Sequence, residues 1–337
     1  LVKINPVAFR DLRSWSFDAT TGNLQHDSGR FFSIEGIHVV ADNGQRREWM
    51  QPIINQPEIG ILGILTKEIN GVLCFLLQAK IEPGNVNKVQ LSPTLQATRS
   101  NYTQVHQGKK PRYIEYFQNK DRSKIILDQL QSEQGARFLR KRNRNVVLYV
   151  DEDVPLGDDF IWLTLGQIKA LMRYDNIVNM DTRTVISGLG YYNYLKKLSA
   201  NDFNGFMQHH SVGPTGCDLF ISELSISGYQ SIDGILFWLS ELKSRYELLV
   251  DRMPLSAVKD WHVGEFEIAR PDRQFFRVLG VEVVIENREV TSWCQPLVEP
   301  MQEGICAFIY KRINGISHFL VQTKIECGNF DVVELAP

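Results

Sequence analysis

An α+β fold built by internal duplication is what this sequence predicts, and three observations predict it. Residues 31–93 recur without gaps as residues 275–337, with 26 identities in 63 positions. In both segments an Asn-Gly pair stands between apolar, β-branched runs, the strongest short-range hairpin signal. Elsewhere apolar residues return at helical spacing. A repeat of this length governs everything else, because overlooking it misreads the whole chain.

Taken in order, the elements follow from local chemistry. Residues 31–40 and 275–285 are rich in aromatic and β-branched side chains and read as strands. Trp49-x-Gln51-Pro52 recurs as Trp293-x-Gln295-Pro296, and upstream Trp15 matches Trp261 after a two-residue insertion. Asn70-Gly71 joins strands 61–69 and 72–81, and Asn314-Gly315 joins 305–313 and 316–325; Pro83-Gly84-Asn85 breaks the chain after the first pair. Residues 125–139 carry apolar side chains near a 3.6-residue period and read as a helix. Thr164-x-x-Gln167 is a capping box ahead of Ile168, Leu171 and Met172. Residues 233–250 place Ile235, Leu236, Leu239, Leu242, Tyr246 and Leu249 on one helical stripe. The Gly- and Pro-containing stretch 211–218 reads as a linker, which divides the chain into 1–210 and 211–337. The second repeat stops at Pro337, the counterpart of Pro93, whereas the first continues well beyond it. The expectation is an active first repeat and a second that is truncated and vestigial.

Composition narrows the function classes. A net charge of −2 supplies no basic field for nucleic acid or an anionic membrane. The basic run at 137–144 reads as a solvated helix end and loop. No apolar stretch is long enough to span a bilayer as a helix, and the start is not a signal peptide. The five cysteines are scattered without Cys-x-x-Cys spacing, which favours a reducing, cytoplasmic setting over disulfides or zinc. Cys74 and Cys306 lie in apolar strand patterns, where a buried thiol acts as a small hydrophobe. Walker, Gly-x-Gly-x-x-Gly, His-Glu-x-x-His and Gly-x-Ser-x-Gly motifs are absent, and His209-His210 lacks partner ligands at useful spacing. No cofactor or metal is therefore expected.

The densest polar region is 78–106. On strand 72–81 and its continuation, alternation places Gln78, Lys80 and Glu82 on one face, and the second repeat keeps them as Gln322, Lys324 and Glu326. Three long polar groups on one face line a pocket or form a solvent face; both readings stand at this point. Arg99, Ser100, Asn101, Tyr102 and His106 follow. Arginine offers a planar fork for phosphate, and tyrosine a stacking surface with a hydroxyl.

The block QAKIEPGN (78–85), the run QLSPTLQATRSNYTQVH (90–106), Tyr113-x-Glu115-Tyr116-Phe117, the stretch FIWLTLGQIKALMRYDNIVNMDTRTVISGL (160–189) and the second QTKIECGN (322–329) together resemble the NDP-hexose 2,3-dehydratases of deoxysugar biosynthesis. The resemblance covers essentially the whole chain. It implies two tandem Nudix-like domains, mixed β-sheets flanked by helices, in a homodimer acting on dTDP-4-keto-6-deoxyglucose, with a ketoreductase consuming the unstable product. The glutamate-rich Nudix hydrolase helix is missing, which fits a scaffold without catalytic Mg²⁺. It also implies a tail beyond the second Leu-Ala-Pro. Under this resemblance Glu82 is the expected base, Lys80 stabilises the enolate, Tyr102 or His106 protonates the leaving hydroxyl, Arg99 binds diphosphate, and Gln78, Asn101 and Tyr116 hold the substrate. A structural Lys80–Glu82 ion pair is the competing expectation. A Nudix-type nucleotide-sugar hydrolase and a non-catalytic nucleotide-sugar-binding protein are the alternative functions.

Overall fold

The computed structural model describes residues 2–98, 110–119, 122–191, 205, 213–285 and 291–337. Among them the fold is mixed α+β, with several sheets and few helices.

The first repeat opens with β1 (Val2–Pro6), a 3₁₀ turn (Phe9–Asp11), β2 (Trp15–Phe17), β3 (Leu24–His26), β4 (Ser33–Asp42) and β5 (Arg46–Asn55). A second sheet follows, made of β6 (Gly60–Ile69), β7 (Val72–Ile81), β8 (Val89–Pro93), β9 (Leu95–Ala97), α1 (Ile114–Gln118), β10 (Lys124–Ser132), β11 (Arg142–Tyr149) and β12 (Phe160–Thr164) with the helices around it. Helices α2 (Leu165–Leu171) and α3 (Met180–Ser187) cover one face of that sheet, and α1 covers the other. The second repeat brings α4 (Pro214–Leu224), α5 (Ile232–Arg245), β13 (Glu247–Met253), a 3₁₀ turn (Leu255–Ala257), β14 (His262–Val263), β15 (Glu267–Ala269), β16 (Phe276–Ile285) and β17 (Ser292–Pro300). It ends in two short ladders, β18 (Tyr310–Ile313) with β19 (Ile316–Phe319), and β20 (Gln322–Lys324) with β21 (Glu334–Ala336).

The repeats exchange strands. β1, from the first, pairs with β16 of the second, Val2 opposite Ile285 and Pro6 opposite Val281. β13, from the second, pairs with β4 of the first, Leu248 opposite Ala41 and Arg252 opposite Ile37. The two ladders occupy equivalent positions in the two repeats. One central core results, in which Phe9, Leu12, Trp15, Leu24 and Ile34 meet their counterparts Leu255, Val258, Trp261, Ile268 and Val278. Gly36 and Gly280 are required where this happens. A Cβ on Gly36 would stand 2.5 Å from Val258, and one on Gly280 2.9 Å from Leu12. Opposite them, Pro52 and Pro296 lie on β5 and β17, edge strands whose outward amide positions tolerate proline. Trp49 and Trp293 each donate to the glutamine two residues on, Gln51 at 2.9 Å and Gln295 at 2.7 Å.

Several local expectations hold. Asn70 and Gly71 (φ 52° and 79°), like Asn314 and Gly315 (51° and 82°), take the left-handed conformation of a tight hairpin. Thr164 and Gln167 form both hydrogen bonds of the capping box. Cys74 is buried.

Others are corrected. Residues 125–139 are not a helix: β10 runs from Lys124 to Ser132 against β11, and an irregularity between Ile125 and Leu127 slips the alternation so that its apolar residues mimic a helical period. The helix predicted at 233–250 ends at Arg245, because residues 247–253 are drawn into the ladder with β4. The stretch 211–218 is not all linker; residues 211 and 212 lie outside the described residues, and α4 starts at Pro214, a residue suited to a helix's first turn. The basic run is not solvated: Lys141 is buried, Arg142 lies 4.0 Å from the Phe330 ring, Arg137 lies 4.2 Å from that of Phe276, and Arg144 pairs with Asp128. The 305–313 strand is formed only from Tyr310, the 316–325 strand is interrupted, and Cys306 is exposed.

Candidate active site

The site forms where β6 and β7 part. They pair from Leu65 with Leu76 to Ile69 with Val72; below that, β9 pairs with β6 and β8 pairs with β7. Thr94 marks the branch: its hydroxyl accepts the Leu65 amide proton and donates to the Leu76 carbonyl. Beyond β8 the chain at Val178 bridges to Leu91, which brings the start of α3 to the opening.

The three predicted residues on or near β7, Gln78, Lys80 and Glu82, can be placed by their partners. Lys80 Nζ stands 3.1 Å from Glu82 Oε1 and donates to Gln96 Oε1 at 2.6 Å. Gln96 Nε2 in turn donates to Asp181 Oδ2. Lys80 is 20% exposed, while its neighbour Ala79 is exposed. Gln78 is not in this chain of contacts; its amide donates to Asp159 at 2.7 Å. Tyr116 is 3% exposed and packs with Leu65, Leu76, Tyr113 and Phe160, a cluster separate from the one under α3. Its hydroxyl meets Arg122 at 3.5 Å, and burial raises its pKa. Arg99, Asn101, Tyr102 and His106 lie outside the described residues.

Asp181 is the residue that sequence reasoning missed. It lies in the first turn of α3, which Asn179 caps by accepting the Thr182 amide proton at 2.8 Å. Asn179 also donates to Ser92 Oγ at 2.8 Å, and Thr182 Oγ1 donates to the Leu91 carbonyl at 3.0 Å. Asn179, Ser92 and Thr182 are all buried, so this turn is fixed to β8. A cleft of about 140 Å³ opens beside it, lined by Asp181, Glu133, Asn143, Asn145 and Thr184 among others. Asn143 donates to Glu133, whereas Asn145, fully buried, has no partner among the described residues for either its side-chain oxygen or its nitrogen. A larger hollow of about 320 Å³ lies at Phe31, Phe32, Glu58 and Thr98, whereas Asp181 and Glu133 line the smaller cleft.

Burial raises the Asp181 carboxyl to about 6, with the Glu133 and Glu82 carboxylates adding to it; the Gln96 hydrogen bond and Lys80 oppose the shift. The effect on stability has a definite sign. A carboxyl that binds its proton more tightly when folded contributes stability below its ordinary value of 3.8 and loses that contribution as pH rises through about 6. Asp181→Asn removes the loss, so the variant is expected to melt higher than the parent above pH 6, by up to about 3 kcal/mol. The gap should close below pH 4. Thermal melts across this window check it; a gap that widens toward acid would refute the assignment.

The second repeat arranges the same types differently. Lys324 pairs with Glu326 at 2.8 Å but is 55% exposed, and Glu326 accepts the Gly135 amide proton of the first repeat. Cys327 beside it is pushed up to about 12, mainly by burial. Among the described residues, no group of three metal-binding side chains converges, and no helix is long and apolar enough to cross a membrane.

Comparison with known proteins shows the family. Three curated proteins named dTDP-4-dehydro-6-deoxy-α-D-glucopyranose 2,3-dehydratase are similar over 99% of the chain. They come from Saccharopolyspora spinosa (48% identity), Amycolatopsis orientalis (46%) and Streptomyces violaceoruber (40%). The chain spans 67%, 66% and 71% of their respective lengths. The family model for NDP-hexose 2,3-dehydratase matches residues 1–189 and 233–337. With a family match over most of its length and relatives 40–48% identical over 99% of it, the chain belongs to the NDP-hexose 2,3-dehydratase family.

Proposed function

We propose that this chain dehydrates dTDP-4-dehydro-6-deoxyglucose across C2 and C3. The observation that carries the reading is the partly buried Lys80, held between Glu82 and Gln96 and linked through Gln96 to Asp181 in the cleft, in a chain whose three relatives above are named for this reaction. The C4 ketone acidifies the C3 proton. A base removes it, the electrons move to the C4 oxygen, and the enolate expels the C2 hydroxyl as water, leaving a C2=C3 double bond with a hydroxyl on C3. That enol tautomerises to the 3,4-diketone as C2 takes up a proton.

Each step suits ordinary side chains. Two donors of Lys80 are engaged by Glu82 and Gln96, and the third is uncommitted among the described residues; it is placed to receive the developing enolate oxygen. Tyr102 or His106 protonates the departing hydroxyl, Arg99 takes the diphosphate and Asn101 assists the nucleotide. Gln78, tied to Asp159, shapes the rim. Tyr116 supports the sheet beneath the site rather than touching substrate. The finer architecture we propose is a pair of Nudix-like repeats at 1–210 and 211–337. The first is active and the second vestigial, in a cytoplasmic homodimer whose product passes to a ketoreductase.

The test is incubation with the 4-keto sugar nucleotide, with o-phenylenediamine present to trap a vicinal diketone. Loss of one water and a quinoxaline adduct by mass spectrometry are expected. Recovery of intact substrate, or of sugar phosphate and nucleoside monophosphate, would overturn the reading in favour of binding or hydrolysis respectively.

A further inference from the structure

We propose that Asp181, rather than Glu82, is the base that takes the C3 proton, and that Asn145 holds a polar group of the sugar beside it. The proposal rests on the dehydratase reading above and assigns its central step.

The two carboxylates differ in what they are free to do. Glu82 is 31% exposed and its Oε1 lies 3.1 Å from the Lys80 ammonium. Its negative charge serves to keep Lys80 protonated and placed, and drawing a proton onto Glu82 would weaken the cation that must meet the enolate. Asp181 touches no cation among the described residues. Its Oδ2 receives the Gln96 amide, and its Oδ1 has no hydrogen-bond partner among the described residues. Gln96 therefore acts as a spacer, accepting from Lys80 on one side and donating to Asp181 on the other. This orders an ammonium and a carboxylate at one opening without letting them neutralise each other. The reaction needs that arrangement, because the base works at C3 while the donor works at the oxygen on the next carbon.

Asn145 supplies the independent observation. It is 0% exposed, it lines the same cleft as Asp181, and among the described residues both its amide oxygen and its amide nitrogen lack partners. A buried carboxamide with neither group satisfied is costly, and a hydroxyl of a bound sugar, which donates and accepts at once, satisfies it. Neighbouring Asn143 is already engaged by Glu133, so Asn145 is left for the ligand.

The surrounding charges give the base its working range. Glu133 from the end of β10 and Glu82 just past β7 face Asp181 as anions and Lys80 acts on it as a cation, while Gln96 and Asn145 are neutral. Asp181 is ionised at neutral pH and still basic enough to accept a carbon-bound proton, the compromise general-base catalysis favours. It titrates near 6, so kcat/KM is expected to fall on the acid side of that value.

Asp181→Asn keeps the side-chain shape and the acceptor for Gln96, and is tested with substrate deuterated at C3. Loss of dehydration by roughly 10²–10⁴-fold is expected, with no release of deuterium to water and with nucleotide-sugar binding retained by calorimetry. Glu82→Gln is expected to keep deuterium release and the acid limb, at a lowered rate. Asn145→Ser should raise KM more than it lowers kcat. If wild type forms no diketone, the dehydratase reading itself fails. If wild type dehydrates and Asp181→Asn still releases deuterium from C3, only the assignment of the base fails.

Discussion

Replacing Lys80 by Met is expected to lower kcat for water loss by roughly 10²–10³-fold, the usual consequence of removing one donor from a developing oxyanion, while the same change at Lys324 leaves kcat within about twofold. The contrast follows from surroundings, since the two lysines occupy matching positions in the repeats. Lys80 is 20% exposed and its ammonium is directed by Glu82 and Gln96. Lys324 is 55% exposed and makes a surface pair with Glu326, and such pairs contribute at most about 1 kcal/mol. Methionine preserves most of the stem, so the loss at position 80 should fall on kcat far more than on KM. Glu82 then lacks its cation and Gln96 loses a donor, so a modest fall in melting temperature accompanies the kinetic effect. Steady-state kinetics of both variants decide the matter: equal losses at 80 and 324 would mean that both repeats carry out the chemistry and would remove the distinction between them.

How much of this was legible beforehand depended on range along the chain. The Asn-Gly hairpins and the Thr164 capping box are local, since each needs only a few adjacent residues, and both are found where the sequence put them. β10 misled because a slip between Ile125 and Leu127 breaks strand alternation, and a broken two-residue period over so short a run passes for a helical one. Strand exchange left no trace at all: nothing in residues 2–6 indicates that their partners are 281–285. The site divided in the same way. Lys80 and Glu82 were readable because they lie two residues apart at the end of one strand, where alternation places them together. Asp181 was not, although it lay within a stretch that carried the family resemblance. Its neighbour Gln96 is far away in sequence, and contacts such as the Leu91–Val178 bridge and the Asn179–Ser92 hydrogen bond bring α3 to the opening between β6 and β7. A first-turn acid after an asparagine cap is an ordinary helix start, so sequence gave no reason to prefer it.

Trp15→Ala is expected to destabilise the chain by about 3–5 kcal/mol, the range for emptying a large aromatic site in a core, and to do so for both repeats at once. Trp15 is 6% exposed; its ring lies 4.8 Å from that of Phe32, and its indole N–H donates to the Cys294 carbonyl of the other repeat at 2.9 Å. The variant therefore leaves both a void and an unsatisfied carbonyl in a region made by the two repeats together. Typical total stabilities are about 5–15 kcal/mol, so a large fraction is lost. Because β1 completes the sheet of β16 and β13 completes that of β4, neither repeat can keep its sheet when the shared core loosens. Trp261→Ala, at 8% exposure in the matching place, should cost a comparable amount. Hydrogen exchange gives the sharper test. In wild type the β4 amides around Val39 and the β16 amides around Val283 should open at one common free energy, and both should fall by the same amount in either tryptophan variant. Two separate free energies, with Trp15→Ala lowering only that of β4, would show that the repeats are stabilised independently and that the exchanged strands contribute little to either.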